Sequence, residues 1–178
     1  FGLVGDKYQF QIQTGAVGQQ GFTIKATIDG NGSIDIQQKD ASRPNCPICL
    51  AAGTLIDTPL GATRVESLQV GDHVWTMNEA GERVIGIVLQ TGSVRVPATH
   101  QVVHIILSDG RELWASPGHP TADGRRLADL KVGDVLDGAH VTLVQRSHYH
   151  GQLTYDLLPS GDTGFYWANG ILIGSTLK

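Results

Sequence analysis

A short motif occurs twice in this chain and constrains its fold more than any other sequence feature. Leu-x-Val-Gly-Asp begins at Leu68 and again at Leu130, and each copy follows a glycine turn and a short amphipathic piece. The echo spans residues 58–74 and 121–135. Two copies are too few for a solenoid, which stacks at least three repeats. They predict two β-lobes related by a pseudo-twofold axis.

The sequence around the echo is β-prone. Residues 84–89 and 102–107 are β-branched runs, and Asn169-Gly170 joins two apolar runs, which is the strongest short hairpin signal. Helical periodicity is confined to single turns at residues 64–68 and 126–130. The 23 glycines and 17% charged residues also favour tight turns over long surface helices. Residues 49–178 are therefore predicted to form an all-β domain.

Residues 1–48 alternate apolar and polar side chains with a period of two. Three such runs, at residues 8–13, 22–28 and 33–37, are separated by glycine turns and predict a small β-meander. Residues 39–48 show no period and are predicted to be a linker. We find no catalytic pattern here and little material for a core, so we interpret residues 1–48 as a β-rich N-terminal segment, the tail of a passenger.

Composition narrows the classes of partner. The net charge of −4 gives no basic face for a nucleic acid, and the longest apolar run, Val102–Leu107, is too short to span a bilayer. No targeting segment is visible in these residues, and two cysteines do not make a disulfide framework. We expect a soluble monomer without nucleic-acid or membrane partners. A secreted or cell-surface bacterial protein fits, and the compartment stays open.

The residues that can carry chemistry are Cys49, just before a predicted strand, and the turn Ser116-Pro117-Gly118-His119. A turn lets a histidine face a reacting bond. Taken singly, Cys49 is better interpreted as a small buried hydrophobe or as a disulfide partner of Cys46. His119 taken singly is a turn histidine whose hydrogen bonds are satisfied.

In combination, five segments resemble the Hint family, which includes hedgehog C-terminal domains and inteins. They occur in family order over residues 49–178, at residues 49–56, 61–72, 116–120, 154–157 and 168–173. The resemblance implies a horseshoe-like all-β Hint fold with pseudo-twofold lobes, preceded by the meander. It also implies that residues 49–178 are an autoprocessing domain and that residues 1–48 end its passenger, or extein.

The resemblance implies a single-turnover self-cleavage without a cofactor. Cys49 would attack the Ile48 carbonyl in an N-to-S acyl shift, giving a thioester that water, an external thiol or an amine releases. His119 resembles the family histidine that protonates the leaving nitrogen, with a pKa near neutrality suited to that task. The partners are thus the chain's own N-terminal segment and a small nucleophile.

Two further residues match family positions. Ser116 stands where the family usually has Thr and would orient the scissile amide, with looser positioning because it lacks the stiffening methyl group. Asp156 matches the Asp of a Tyr-Asp-Leu strand. Its carboxylate would exchange a proton with the Cys49 thiol, or it serves only as a strand-end hydrogen-bond acceptor.

The chain departs from the family at three places. Splicing inteins end in His-Asn, but Gly174 and Ser175 stand there, so no splicing is expected. Residues 89–93 lack the acid that hedgehog domains use for transfer to a sterol. Ile48 replaces the usual Gly before the nucleophile, and its β-branched side chain predicts slow cleavage.

Other interpretations stay open. A Cys46–Cys49 disulfide would make cleavage redox-gated. Cys46, Cys49, His148 and His150 would instead form a zinc site, which would quench the nucleophile. Another alternative is that the chain is a catalytically degenerate Hint scaffold, which serves as a β-rich interaction module. His100 and His104 are interpreted as polar residues of an edge strand.

Overall fold

The computed structural model describes residues 2–14, 21–42 and 50–177. The chain divides into two compact units, Phe1–Cys46 and Pro47–Lys178. Cys46, Ile48 and Cys49 lie outside the described residues. Predictions about the scissile bond, the disulfide and the cysteine ligands of zinc therefore fall outside what the structure describes.

The N-terminal unit is an antiparallel meander of four strands in sequence order. They are β1 (Gly2–Val4), β2 (Lys7–Thr14), β3 (Gly21–Ile28) and β4 (Ile34–Ser42). The three predicted strands are present, and β1 is an additional strand that pairs with β2.

The predicted linker of residues 39–48 is wrong at its start, because residues 39–42 belong to β4. They continue the ladder with β3 as far as the pair Gly21–Ser42. Ladder bonds join main-chain groups, so a polar run without period can still form a strand at the edge of a sheet. The rest of the predicted linker, residues 43–48, lies outside the described part of the chain.

The turn between β3 and β4 has the predicted Asp-Gly-Asn-Gly chemistry. The Asp29 carboxylate accepts the N–H groups of Asn31 and Ser33, each at 2.9 Å, and Gly32 has a φ of +84°. A short Asp side chain that captures main-chain N–H groups is typical of such turns. The hydrophobic core of this unit is small, as the sequence predicted, because Ala26 and Thr27 are its only buried residues among those described.

The C-terminal unit is all-β, as predicted, and contains twelve strands and two short 3-10 turns among its described residues. The strands are β5 (Leu50–Ala51), β6 (Leu55–Thr58), β7 (Gly61–Arg64), β8 (His73–Met77), β9 (Arg83–Arg95), β10 (Gln101–Leu107), β11 (Glu112–Ala115), β12 (Val135–Leu136), β13 (Ala139–His148), β14 (Leu153–Pro159), β15 (Phe165–Ala168) and β16 (Ile171–Gly174). The 3-10 turns are Val65–Ser67 and Leu127–Asp129, where the sequence predicted single helical turns.

The strands form one continuous antiparallel path. Its order is β12-β13-β10-β11-β5-β14-β9-β8-β15-β6-β7, with β16 paired to β15. The two-residue strand β5 therefore lies between β11 and β14, in the interior of the sheet. The buried core includes side chains from both copies of the echo, among them Val65, Leu68, Leu127 and Leu130.

The two copies of the echo fold in the same way. The Asp72 carboxylate accepts the N–H of Gln69 at 2.8 Å, and the Asp134 carboxylate accepts the N–H of Lys131 at 2.9 Å. The third residue of each turn is a glycine with a φ of +96°, Gly71 in one copy and Gly133 in the other. The Leu-x-Val-Gly-Asp motif is thus a turn in which Asp fixes the main chain and Gly permits the positive φ.

We predict that Gly133→Ala lowers the free energy of unfolding by about 1–2 kcal/mol, because a φ of +96° is strained for any residue with a Cβ atom. Urea denaturation in a Cys49→Ala background measures the change. The matched control is Gly118→Ala, where a Cβ atom meets open space and φ is not positive. That control should change stability by less than about 0.5 kcal/mol, or raise it slightly. Equal effects of the two substitutions would contradict the assignment of strain to the echo turn.

Candidate active site

The site is built around β5, whose first residue follows Cys49 in the chain. Leu50 is fully buried and pairs on one side with Ala115 of β11 and on the other with Tyr155 of β14. Ala115 is the residue before Ser116, and Tyr155 is the residue before Asp156. Three strands thus bring the neighbours of Cys49, Ser116 and Asp156 into register.

The turn that carries Ser116 and His119 is held by main-chain hydrogen bonds. The Ser116 carbonyl accepts the N–H of His119 at 3.0 Å, and the His119 carbonyl accepts the N–H of Leu127 at 3.0 Å. Leu127 begins the 3-10 turn of the second echo copy. The second copy of the echo therefore holds this turn in place through a main-chain hydrogen bond. Both Ser116 and His119 are buried.

His119 is fully buried, and neither of its ring nitrogens finds a hydrogen-bond partner among the described residues. Burial lowers the pKa of His119 to about 3, because an imidazolium ion would lose its hydration. The expectation of a pKa near neutrality is therefore wrong for this arrangement. At pH 7 the ring is neutral and offers one N–H donor and one acceptor nitrogen.

Asp156 is also buried, but its carboxylate is fully engaged. Its Oδ1 atom accepts the Tyr166 hydroxyl at 2.5 Å and the N–H of Leu157 at 2.7 Å. Its Oδ2 atom accepts the N–H and the hydroxyl of Thr176, at 2.7 and 2.5 Å. Burial raises the pKa of Asp156 to about 6, and the bonds from Thr176 and Tyr166 partly oppose this shift. These contacts fit the second interpretation of Asp156, a hydrogen-bond acceptor that anchors the segment after β16.

The end of β16 lies against the turn of Ser116 and His119. The Pro120 carbonyl accepts the N–H of Gly174 at 3.1 Å, and Thr121 forms an isolated bridge with Ile173. The C-terminal end of β16 is thus bonded to the residues that directly follow His119.

Residues 48–135 match the Hint domain family. The C-terminal unit thus contains a Hint domain. A solution structure of a bacterial intein-like domain from Clostridium thermocellum is similar, with a TM-score of 0.62 and 24% identity, over 71% of this chain and 98% of that one. A DnaB intein from Synechocystis sp. PCC 6803 has a TM-score of 0.61 and 17% identity, over 72% of this chain and 99% of that one. At such identities the likeness establishes the fold. No curated protein sequence matches the chain.

Two further residues of the candidate site were not predicted from the sequence. The Nε2 atom of His100 lies 3.1 Å from the Ser116 hydroxyl oxygen. The Tyr149 hydroxyl accepts the N–H of Ala52 at 2.9 Å and donates to the Leu153 carbonyl at 2.7 Å. The signal for His100 was the hairpin register. Val103 and Ala115 pair across the hairpin whose turn is Asp109-Gly110. Continued away from that turn, the same register brings His100 towards Ser116 and Gly118.

The interpretation of His100 and His104 as edge-strand residues is wrong. His100 lies in the loop before β10, and β10 is an interior strand between β13 and β11. His104 stacks on Trp114, with ring centroids 3.7 Å apart, and its Nε2 atom lies 2.7 Å from the Glu112 carboxylate.

The zinc interpretation is tested only at its histidines. The rings of His148 and His150 are 5.1 Å apart, and both residues are exposed. Within residues 2–14, 21–42 and 50–177 no group of three or more metal-binding side chains is found. The same residues contain no helix long and apolar enough to cross a membrane.

We predict that His119 makes the folded state sensitive to acid. Its pKa is about 3 when folded and about 6.5 when unfolded, so below pH 6.5 only the unfolded chain takes up the proton. Stability is therefore complete above pH 6.5 and falls on acidification, by about 3 kcal/mol between pH 7 and pH 4. Urea denaturation of Cys49→Ala chains with and without His119→Gln measures this loss as the difference between the two.

Asp156 acts in the opposite direction, since its raised pKa lowers stability as pH rises from about 4 to about 6. The comparison cancels this effect because both chains keep Asp156. The control is the exposed His140, changed to Gln, which removes an imidazole that is not buried. Identical pH dependence with and without His119 would contradict its burial as a neutral group.

Proposed function

We propose that this Hint domain cleaves its own chain once, between Ile48 and Cys49, through a thioester on the Cys49 sulfur. The observation that carries the proposal is the double pairing of Leu50 with Ala115 and Tyr155. In antiparallel strands the partner moves back one residue for every residue advanced. Continued by one step, the register would set Cys49 opposite Ser116 on one side and Asp156 on the other.

The ring of His119, which has no hydrogen-bond partner among the described residues, supports the same site. A buried polar group without a hydrogen bond costs about 1–3 kcal/mol, so native proteins rarely leave one without a purpose. The proposed partner of His119 is the scissile amide. The Cys49 main-chain nitrogen becomes basic only as the carbonyl is attacked, and it then needs a nearby proton donor.

The proton balance assigns His119 two successive roles. The Cys49 thiol must lose a proton before its sulfur attacks, and the departing nitrogen must gain one. A neutral imidazole accepts the first proton and delivers it to the nitrogen, so that the carbon–nitrogen bond breaks as the thioester forms. The lowered pKa leaves the His119 ring neutral and able to accept a proton at pH 7; the ring is a weak base, and its imidazolium is a strong acid that readily gives the proton to the departing nitrogen.

Ser116 is proposed to stabilise the charge that develops on the Ile48 carbonyl oxygen. A buried hydroxyl that donates to this oxygen acts in surroundings from which water is excluded, where such a bond is strongest. The thioester is then released by water, a thiol or an amine, and the proposed reaction uses no cofactor. Splicing is not part of it, because position 175 is Ser and no asparagine stands there to cyclise.

The engaged carboxylate of Asp156 favours a second candidate, a degenerate Hint scaffold that does not cleave. Both oxygens already accept hydrogen bonds from Tyr166, Leu157 and Thr176. A proton exchange with Cys49 would require this carboxylate to give up part of that network. If Asp156 is purely structural, the chain depends on His119 alone for proton transfer.

Cleavage by an added nucleophile tests the proposal. Incubated with hydroxylamine or dithiothreitol, the unmodified chain should split into residues 1–48 and 49–178, as measured by intact-protein mass spectrometry. Cys49→Ala should abolish the reaction because no sulfur can accept the acyl group. His119→Ala should slow it by at least about 100-fold, the usual contribution of a general acid or base.

The exposed His140, changed to Ala, is the matched control and should cleave at the unmodified rate. An unmodified chain that stays whole with both nucleophiles would overturn self-cleavage and favour the degenerate scaffold. Cleavage at another bond, or cleavage that survives Cys49→Ala, would also contradict the proposed mechanism.

A further inference from the structure

We infer that His100 is a positioning residue that fixes the hydroxyl of Ser116 for the self-cleavage reaction. The inference rests on the proposed function and names a residue outside the five segments that resemble the Hint family. Its basis is the 3.1 Å contact between the His100 Nε2 atom and the Ser116 hydroxyl oxygen. Ser116 is buried and His100 is half-buried, so this contact is partly shielded from competing water.

The main chain of His100 is held on both sides. Its N–H donates to the Pro97 carbonyl at 2.9 Å, and its carbonyl accepts the N–H of Tyr149 at 2.9 Å. The imidazole also packs edge to face against the Tyr149 ring, with centroids 6.0 Å apart and an interplanar angle of 79°. A side chain held in this way presents its Nε2 atom to Ser116 at a fixed point.

Tyr149 in turn joins this support to β5. Its hydroxyl accepts the N–H of Ala52, the residue directly after β5, and donates to the carbonyl of Leu153, the first residue of β14. His100 and Tyr149 thus connect Ser116 to the strand that begins next to Cys49. Any displacement of β5 relative to the turn of Ser116 would strain these contacts.

We assign to His100 the tautomer that carries its proton on Nε2, because this tautomer leaves the serine proton for another acceptor. A neutral imidazole with its proton on Nε2 donates to the Ser116 oxygen, and the serine proton is then free to point to another acceptor. Hydrogen bonds in such a chain strengthen one another. Burial lowers the pKa of His100, which agrees with a neutral ring at pH 7.

This arrangement explains how serine can replace the usual threonine at position 116. Serine has no second heavy atom on Cβ to restrict its side-chain rotation, so its hydroxyl can occupy three staggered positions. The bond from His100 selects one of them. We assign to His100 the restraint that the missing methyl group would provide.

A double-mutant cycle tests the inference. The rate of hydroxylamine cleavage is measured for the unmodified chain, His100→Ala, Ser116→Ala and the double variant. His100→Ala should slow cleavage by about 10-fold in the unmodified chain, the usual effect of losing one hydrogen bond. In the Ser116→Ala background it should have no further effect, because His100 acts only through the serine hydroxyl.

Two conservative variants separate this role from general destabilisation. His100→Gln keeps an N–H donor at similar reach and should restore most of the rate. In a Ser116→Thr chain, His100→Ala should cost less than it does with Ser116, since the methyl group restrains the hydroxyl. His104→Ala is the matched control, a histidine of the next strand whose partners are Glu112 and Trp114, and it should cleave at the unmodified rate.

The outcomes distinguish the two proposals. No cleavage of the unmodified chain overturns the proposed function, and the role of His100 with it. If the unmodified chain cleaves but His100→Ala cleaves equally fast, or slows cleavage equally with and without Ser116, only the positioning role is overturned. Failure of His100→Gln to restore the rate in a folded chain would also overturn it.

Discussion

The C-terminal unit depends on the pairing of a two-residue strand. β5 has only Leu50 and Ala51, yet it bonds to β11 on one side and to β14 on the other, and Leu50 is completely buried. A strand in the interior of a sheet has both of its main-chain edges satisfied, which fixes its position more firmly than an edge would. Because β5 begins directly after Cys49, the residue proposed to react adjoins a strand that is paired on both sides. Contacts with β5 and the residue after it fix three segments: the turn of Ser116, the start of β14 and the loop of Tyr149.

Burial then decides the charge states of the side chains around this strand. The same removal of water lowers the pKa of His119 to about 3 and raises that of Asp156 to about 6. Both shifts disfavour charge, but the two groups differ in their partners. Asp156 accepts hydrogen bonds at both oxygens, whereas His119 has no partner among the described residues. The first is typical of a structural anchor and the second of a group that awaits a ligand, here the scissile amide of the proposed reaction.

Much of the fold was predictable from local patterns, and much of the site was not. The echo predicted two similar β-lobes, and the structure repeats the same local bonds at Asp72 and Asp134, because Asp and Gly act on their own main-chain neighbours. The extension of β4 to Ser42 was missed because ladder pairing with β3 outweighed its polar sequence. The contact of His100 with Ser116 and the engagement of Asp156 by Thr176 arise from strand pairing between distant residues. The pKa of His119 depends on all the groups that exclude water from it, and no spacing rule contains that information.

The central claim is that the His119 ring and the Ile48–Cys49 amide meet at one place, and a crystal structure of the uncleaved Cys49→Ala chain tests it most directly. The account predicts a His119 ring nitrogen within about 3.5 Å of the main-chain nitrogen of residue 49, with the Ser116 hydroxyl facing the Ile48 carbonyl oxygen. A well-defined amide that lies beyond the reach of both side chains, or a His119 ring bonded to some other group, would contradict it.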